Sequence, residues 1–343
     1  MDSNLILFTL LKIAGVISLL LGMVAYGVLV ERKLAAMIQD RIGPNRAGPA
    51  GIWQPIADGV KSLLKEDFTP QHVRKVYFWL APAITMIPAL LTVAIIPFGS
   101  NLGAQKMVIA DLNVGILYTF GIVSLGVYGI VLAGYAANSK YPFLGGIRSS
   151  AQMISYEVAM GLSVVPIFLL VGGLNLSKVI DYQSHGLSSW LFFKQPLAFF
   201  IFLVAAFAET NRLPFDLPES EQELVGGYNT EYSSMKLALF FMGEYANLIA
   251  ASALMVALFF GGWTLPCLGL DHPAEASQWL KGLLQIGIFL SKIVVFVMMM
   301  MWVRWMLPRF RFDQLMDLGW RRFIPLALAN ILITAVVLWV KAK

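Results

Sequence analysis

The chain has 343 residues, of which 58% are hydrophobic and 13% are charged, and its formal net charge is +5. Soluble globular domains carry about 25% charged residues, so the composition excludes an ordinary soluble fold. The single cysteine, Cys267, excludes an intramolecular disulfide framework and any cluster that needs several cysteine ligands. The composition therefore indicates a membrane protein.

The apolar residues fall into eight runs, most of them near the roughly 20 residues that a helix needs to cross the bilayer core. In chain order the runs cover residues 5–30, 76–97, 114–137, 151–172, 195–208, 237–263, 283–306 and 323–340. The first run is too long for a signal-peptide core and lacks a basic leader, so we expect it to remain as a helix. The pattern predicts an all-α polytopic membrane protein of about eight transmembrane helices, forming one integral membrane domain over residues 1–343.

The first connection, at residues 31–75, begins with helix breakers and continues with an amphipathic segment. Glycines and prolines interrupt the helix in the motif RIGPNRAGP, which begins at Arg41. From Trp53 to Leu64, apolar residues then recur with the i, i+3, i+4, i+7 spacing of a helix that lies in the membrane interface. Either this loop rests on anionic lipid, or it forms a mouth through which an amphiphile enters from the bilayer.

Two predicted spans contain a glutamate, and a third ends at one. Glu157 follows Arg148 by about nine residues and Glu244 follows Lys236 by about eight, which places both roughly 12 Å below the same surface. Glu209 ends the fifth run on that side. Because acids at membrane depth are costly and mark proton pathways, we expect the three carboxylates to converge in the bundle interior. The alternative is three separate acids, each hydrogen-bonded to a neighbouring helix.

The segment after the fifth run is acidic although it emerges from a strongly apolar sequence. Against a single base, Arg212, residues 208–231 contain six acids: Glu209, Asp216, Glu219, Glu221, Glu223 and Glu231. A charge cluster in a membrane protein is costly unless it contacts water, a partner or a pathway. Together with the acids inside the spans, this segment indicates proton or charge handling.

Lys292 lies near the centre of the seventh run, in GIFLSKIVVFVMM. Because snorkelling brings a lysine to the surface only near helix ends, the side chain must pair inward or line water. We expect an ion pair with one of the intramembrane acids. The alternative is a neutral lysine in an apolar pocket.

Lysines and arginines concentrate in alternate connections. The connections at about 31–75, 138–150 and 307–322 are basic, whereas the opposite ones hold little basic charge. Short loops rich in Lys and Arg stay cytoplasmic, so we expect these loops and the acidic loop at 209–236 to face the cytoplasm, with both termini on the other side. The net charge follows from this asymmetry, and no nucleic-acid binding need be invoked.

Motifs for a cofactor are missing from the sequence. The three histidines, His72, His185 and His272, lie in separate connections, so paired haem ligands at helical spacing are absent. Neither GxGxxG after a strand nor GxxxxGK[ST] is found. The sequence therefore indicates no redox centre, metal site or catalytic residue of its own, and any electrons must come from a partner.

Several long motifs, in order along nearly the whole chain, resemble the quinone-site membrane subunit of respiratory complex I. This family comprises the H subunit of bacterial NADH:quinone oxidoreductase and subunit 1 of the mitochondrial enzyme. The motifs are ERKLAAMIQDRIGPNRAGPAGIWQPIADGVKSLLKE, GYAANSKYPFLGGIRSSAQMISYE, AETNRLPFDLPESEQELVGGYNTEYSSMK, GEYAN and RWMLPRFRFDQLMDLGWRRFIPLALAN.

The resemblance implies a quinone chamber that runs from the bilayer to an iron–sulfur cluster in a neighbouring peripheral subunit. The first and third cytoplasmic loops, with the surfaces of helices one and six, form it. The implied chamber residues are Glu31, Arg32, Arg41, Arg46, Asp58, Lys61, Lys65 and Arg212. The implied acidic path towards antiporter-like membrane subunits maps onto Glu157, Glu209, Glu219, Glu221, Glu223 and Glu244. We add Lys292 to this path because of its position near the centre of the seventh run.

Cofactors, partners and location are implied in the same way. Quinone, either ubiquinone or menaquinone, is the substrate, while FMN and the iron–sulfur clusters belong to partner subunits. The expected partners are the peripheral-arm quinone-site and iron–sulfur subunits, the small and antiporter-like membrane subunits, and membrane lipids. The expected location is the bacterial cell inner membrane.

Two other functions compete with this one. The same family includes membrane anchors of hydrogenases and of ferredoxin- or deazaflavin-linked dehydrogenases, but the complete RIGPNRAGP and AETNRLPFDL motifs favour the quinone-reducing branch. A free-standing cation or proton transporter often carries an internal repeat, and the sequence shows none.

Overall fold

Helices make up nearly all of the regular structure in the computed structural model, which describes residues 3–103, 105–218, 224–266, 269–275 and 278–343, with side chains from residue 6 onward. The helices are α1 (Ser3–Ile38), α2 (Gln54–Leu64), α3 (Lys75–Thr92), α4 (Gly115–Ala136), α5 (Lys140–Val171), α6 (Leu176–Gln183), α7 (Leu191–Lys194), α8 (Pro196–Glu209), α9 (Ser234–Phe259), α10 (Trp279–Met306), α11 (Phe312–Asp317) and α12 (Ile324–Ala342). A π-helical turn, Leu318–Phe323, joins α11 to α12. One small antiparallel hairpin pairs β1 (Asn101–Leu102) with β2 (Gln105–Lys106), Asn101 opposite Lys106.

Seven helical segments within the described residues are long and apolar enough to cross a membrane, judged by length and composition. They are Ile6–Ile38, Lys75–Ile95, Gly115–Ala136, Lys140–Val171, Ser234–Phe259, Trp279–Met306 and Phe312–Ala342. The predicted all-α polytopic membrane fold is therefore confirmed. The fifth predicted run forms α8, whose 14 residues cover about 21 Å at 1.5 Å per residue, less than the bilayer core.

The interior of the bundle surrounds α8. Ala198, Phe202 and Ala205 of α8 are fully buried, and they belong to one hydrophobic core with residues of α5 and α9. A helix of this length is too short to cross the lipid on its own. Packing among longer helices keeps its apolar side chains away from water. The end of α8 thereby brings Glu209 and the segment after it into the interior of the protein.

Two helices extend beyond the apolar runs that predicted them. α5 begins at Lys140, whereas the run begins at residue 151, and α1 continues to Ile38, whereas the run ends at residue 30. Hydropathy reports only the part of a helix that lies in lipid, while the helix continues until a breaker or a cap stops it. Pro142 is tolerated because it lies in the first turn of α5. The additional part of α1, residues 31–38, begins with Glu31 and Arg32.

The predicted interface helix is present as α2. None of its residues is buried, and Ile56, Val60 and Leu63 are exposed apolar side chains, as a helix resting in the lipid interface requires. Arg32 of α1 pairs with Asp58 of α2 at 2.7 Å. The first loop is thus attached to the bundle through a charged side of α2, which leaves the apolar side free for the bilayer.

Small residues allow α3 and α4 to pack closely. A Cβ atom on Gly129 of α4 would lie 2.2 Å from Thr85 Oγ1 and 2.8 Å from the backbone nitrogen of Thr85, so glycine alone fits there. Without a hydrophobic driving force between helices in lipid, such close backbone approach supplies the packing energy. The contact fixes the part of the bundle against which α9 packs, because Gly243 of α9 also lies against Thr85.

We therefore expect Gly129→Ala to destabilise the bundle by about 1–3 kcal/mol, the usual effect of overpacking. The matched control is Gly121→Ala on the same helix, where an added Cβ meets nothing within 4 Å. Thermal unfolding of the detergent-solubilised protein, followed by tryptophan fluorescence, measures both. Equal melting temperatures for the two variants would contradict the close packing of α3 on α4.

Candidate functional site

A single arginine, Arg212, binds carboxylates from two different helices. It lies just after the end of α8, and its side chain is 1% exposed. Its Nη1 donates to Glu31 Oε2 at 2.8 Å, and its Nε donates to Glu244 Oε1 at 2.8 Å. The guanidinium carbon lies 4.1 Å from the centre of the Tyr245 ring. Arg212 therefore joins the segment after α8 to α1 and to α9.

Glu31 has further partners, which bring in a fourth element. Arg304 of α10 donates to Glu31 Oε1, and the Tyr245 hydroxyl donates to Glu31 Oε2 at 2.7 Å. Two carboxylates thus balance two guanidinium groups, the condition under which buried charges are tolerated in a low-dielectric interior. We call Glu31, Arg212, Glu244, Tyr245 and Arg304 the ion cluster.

The charge of Arg212 does not change over physiological pH. Burial lowers the pKa of Arg212, but the carboxylates of Glu244 and Glu31 outweigh burial and raise the pKa above its ordinary value. The guanidinium group of an arginine is protonated at physiological pH even without such an increase, so Arg212 stays charged. Any change of charge in the ion cluster must therefore arise at its carboxylates or from a charged group that approaches them.

The ion cluster lies against a cavity of about 580 Å³ between α1, α9, α10 and the loop after α1. We call this cavity the chamber. Its charged lining residues are Glu31, Arg32, Arg41, Glu244 and Arg304, and its apolar ones include Val28, Ile42, Phe241 and Trp305. Pockets for small molecules and cofactors have volumes of roughly 300–1,000 Å³ and combine apolar walls with a few polar groups. The chamber has both properties.

Two much smaller cavities lie beyond Glu244, each of about 20 Å³, which is room for about one water molecule. The lining of the first small cavity includes Glu244, Asn247 and Glu209. The lining of the second includes Asn247 and Glu209 but not Glu244. The carboxylate of Glu209 interacts electrostatically with that of Glu157, a half-buried residue on α5. The structure thus arranges Glu244, Glu209 and Glu157 in a row that begins at the chamber.

The chain is similar to known proteins along nearly its whole length. Residues 11–335 match the family model described as NADH dehydrogenase. The chain belongs to this family. It is 50% identical over 325 residues to the NADH-quinone oxidoreductase H subunit numbered 1 of Cytophaga hutchinsonii, covering 93% of this chain and 92% of that protein. It is 47% identical over 347 residues to the NADH-quinone oxidoreductase H subunit numbered 2 of Koribacter versatilis, covering 96% of each chain. It is 50% identical over 313 residues to NADH-quinone oxidoreductase subunit 8 of Rhodothermus marinus, covering 90% of each chain.

The family resemblance implies eight chamber residues, which the structure divides into three groups. Glu31, Arg32 and Arg41 line the chamber. Asp58 lies behind Arg32, its ion-pair partner, and Arg212 lies behind the chamber wall, bonded to Glu31. The remaining three side chains are exposed and do not line the chamber: Arg46, Lys61 and Lys65.

Of the acidic segment, the structure describes only part. Glu209 lies in the row of carboxylates, and Asp216 pairs with Arg309 at 2.8 Å, which ties the segment to the chain just after α10. Glu231 lies 3.7 Å from His72 in the first loop. Glu219, Glu221 and Glu223, which the resemblance assigns to the acidic path, lie outside the described residues.

Two members of the ion cluster, Tyr245 and Arg304, were not identified from the sequence. Tyr245 follows Glu244 directly in GEYAN, one of the motifs on which the family resemblance rests. Arg304 lies inside the seventh apolar run, in MWVRWM. Arg304 lies in the last turn of α10, where an arginine can reach the surface by snorkelling, so the argument that singled out Lys292 at the centre of the run does not apply to it.

The ion pair predicted for Lys292 is wrong. Lys292 Nζ donates to the backbone carbonyl oxygens of Phe260, Gly262 and Thr264 at 2.7, 3.0 and 2.7 Å, and it lies 4.7 Å from the centre of the Trp190 ring. These three carbonyls belong to the segment that follows α9, and together they can accept all three donors of an ammonium group. Lys292 lies about 18 Å along α10 from Arg304 of the ion cluster.

We expect Arg212→Met to destabilise the protein by about 3–5 kcal/mol, because Glu31 and Glu244 would be left buried with one cation fewer. The matched control is Arg311→Met, which removes an exposed pair with Asp313 and should leave the melting temperature nearly unchanged. Thermal unfolding in detergent measures both variants. Adding Glu244→Gln to Arg212→Met should recover part of the loss, and full additivity of the two changes would contradict a shared ion cluster.

Proposed function

We propose that the protein is the quinone-binding membrane subunit of a proton-translocating NADH:quinone oxidoreductase, respiratory complex I. One observation carries this proposal: a cavity of ligand size shares its charged wall with a row of carboxylates that leads into the membrane interior. The cavity would hold the quinone, and the carboxylates would carry the response to its reduction. Belonging to the NADH dehydrogenase family supports this reading.

The chamber suits an amphiphilic substrate. Val28, Phe241 and Trp305 offer apolar surface, which an isoprenoid tail would cover, while Arg32 and Arg41 offer donors to the polar end of the molecule. The exposed apolar side of α2 lies on the same loop that lines the chamber, which supports entry from the bilayer rather than from water. A membrane anchor that binds no quinone would need no cavity of this size, and this favours the quinone-reducing branch.

Coupling would begin at the ion cluster. Arg304 lines the chamber and pairs with Glu31, so a negative charge that arrives in the chamber competes with Glu31 for this guanidinium group, and Glu31 and Glu244 share Arg212 behind the wall. A carboxylate that loses its arginine at membrane depth is unpaired, and binding a proton removes the cost of its charge. Glu244 borders both the chamber and the first small cavity, so a proton on Glu244 could pass through water to Glu209 and then towards Glu157.

The same proposal covers partners and orientation. FMN and the iron–sulfur clusters would belong to peripheral subunits that dock on the cytoplasmic loops, where Arg46, Lys61 and Lys65 are exposed cations. The half-buried Glu157 on α5 would meet the small and antiporter-like membrane subunits. The protein would lie in the bacterial inner membrane with its odd-numbered loops in the cytoplasm.

Filling the chamber should hinder a long substrate more than a short one. We expect Ala35→Phe, which adds a ring to the chamber wall, to raise the KM for a long-tailed quinone by roughly tenfold, equivalent to about 1.4 kcal/mol, with a smaller effect on a short soluble analogue. Ala14→Phe on the exposed side of the same helix is the control. The assay is quinone reduction by the intact complex in vesicles. Equal effects on both quinones would argue against a tail in this cavity.

Removing the titrating groups should separate electron transfer from pumping. The variant Glu157→Gln/Glu209→Gln/Glu244→Gln keeps the shape of each side chain and deletes its proton exchange, so we expect quinone reduction without normal proton translocation. Because the sites interact, one Glu→Gln change need not abolish proton translocation. The effect of the triple variant should differ from the sum of the three single effects. Proton uptake and quinone reduction are measured together in vesicles. A normal proton-to-electron ratio in the assembled triple variant would show that these acids are structural.

A further inference from the structure

The same three helices that form the chamber enclose a second cavity at their other end. This cavity has a volume of about 320 Å³ and lies between the first half of α1, the middle of α9 and the first half of α10. Leu19, Ile249 and Phe289 are typical of its lining, and Lys12 is the only charged residue among the described residues that line it. We call it the apolar groove.

Packed side chains separate the apolar groove from the chamber. At Gly27, between the two cavities on α1, an added Cβ would lie 3.4 Å from Tyr245 Cδ1 and 3.7 Å from Met301 Cε. An added methyl group would already touch both side chains, so the space between α1 and its neighbours there is no wider than one methyl group. A molecule in the apolar groove is therefore separate from one in the chamber.

Lys12 marks the polar end of the groove. Its Nζ donates to the carbonyl oxygens of Lys106 and Val108, at 3.3 and 3.1 Å, in the loop that joins α3 to α4. An ammonium group has three donors, and the described residues accept two of them, which leaves the third for a ligand. Among the described residues Lys12 has no carboxylate partner, and the ammonium group of Lys106 in the same loop is largely exposed although it pairs with Asp111.

We propose that the apolar groove binds an anionic phospholipid, with one acyl chain along α1 and the phosphate at Lys12. The bilayer supplies molecules that combine an apolar chain with a negative charge at the surface, and the groove combines an apolar wall with the ammonium group of Lys12 at its end. Leu7, Leu11 and Leu19 of α1 are exposed beside it, so the groove opens towards lipid.

A lipid in this position would hold α1 against α9 and α10. These three helices carry Glu31, Glu244 and Arg304, so the lipid would support the geometry of the ion cluster from the opposite side of the bilayer. The binding itself does not depend on what the chamber holds. The proposal therefore stands or fails separately from the proposed function.

Two substitutions test the two halves of the site, and a third is their control. Lys12→Gln removes the cation, and Gly15→Leu fills the groove, because an added Cβ at Gly15 meets nothing within 4 Å. Gly22→Leu makes the same change on the same helix, also into open space, at a residue that lines neither cavity. Native membrane vesicles are incubated with phosphatidylglycerol that carries a photoactivatable diazirine in one acyl chain, or with phosphatidylcholine that carries the same chain.

We expect phosphatidylglycerol to label residues of α1 between Phe8 and Met23, and to label Lys12→Gln and Gly15→Leu severalfold less than the native protein and Gly22→Leu. Phosphatidylcholine should label the native protein severalfold less than phosphatidylglycerol does. Equal labelling by the two lipids, or equal labelling of all variants, would overturn the proposal. Loss of the label when a long-tailed quinone is added would also overturn it, because the groove would then hold the quinone tail.

Discussion

The pairing of Arg212 with Glu31 and Glu244 is the interaction on which the arrangement of the site depends. Arg212 and Glu31 are buried and Glu244 is mostly buried, in a region where a lone charge would be very costly. The charges are therefore tolerated only in one another's presence, and this requires α1, α9 and the segment after α8 to keep a fixed relation. Arg304 extends the same requirement to α10. The wall of the chamber is thus held by electrostatics as much as by packing.

This arrangement makes the chamber and the membrane interior parts of one electrostatic unit. Glu244 borders the chamber on one side and a cavity of water size on the other, and Glu209 borders the next cavity. Because Arg212 keeps its charge, we propose that the carboxylates are the groups that respond to a change of charge in the chamber. In a bundle of closely packed helices, a small redistribution of charge can therefore act at a distance without a large movement of the backbone.

The protein places polar groups at membrane depth in two different ways. At the chamber end, charges are paired with opposite charges. Near the centre of α10, Lys292 instead donates to three backbone carbonyl groups of the segment that follows α9. The first arrangement can change with the charge of a neighbour, whereas the second is closed because all three donors are used. Among the described residues, the partners bonded to Lys292 Nζ are backbone carbonyl oxygens and not carboxylates.

The sequence by itself determined the membrane-spanning helices, the interface helix α2 and the presence of acids at depth. These depend on hydrophobic periodicity and on the cost of charge in lipid, which are properties of short segments. Only the tertiary structure decided the partners. Glu31 meets residues 181 and 273 positions away in the chain, and Arg304 rather than Lys292 completes the cluster. Such pairings depend on how each helix is rotated about its axis and on how far each side chain reaches across a helix interface, and neither is written in the local pattern.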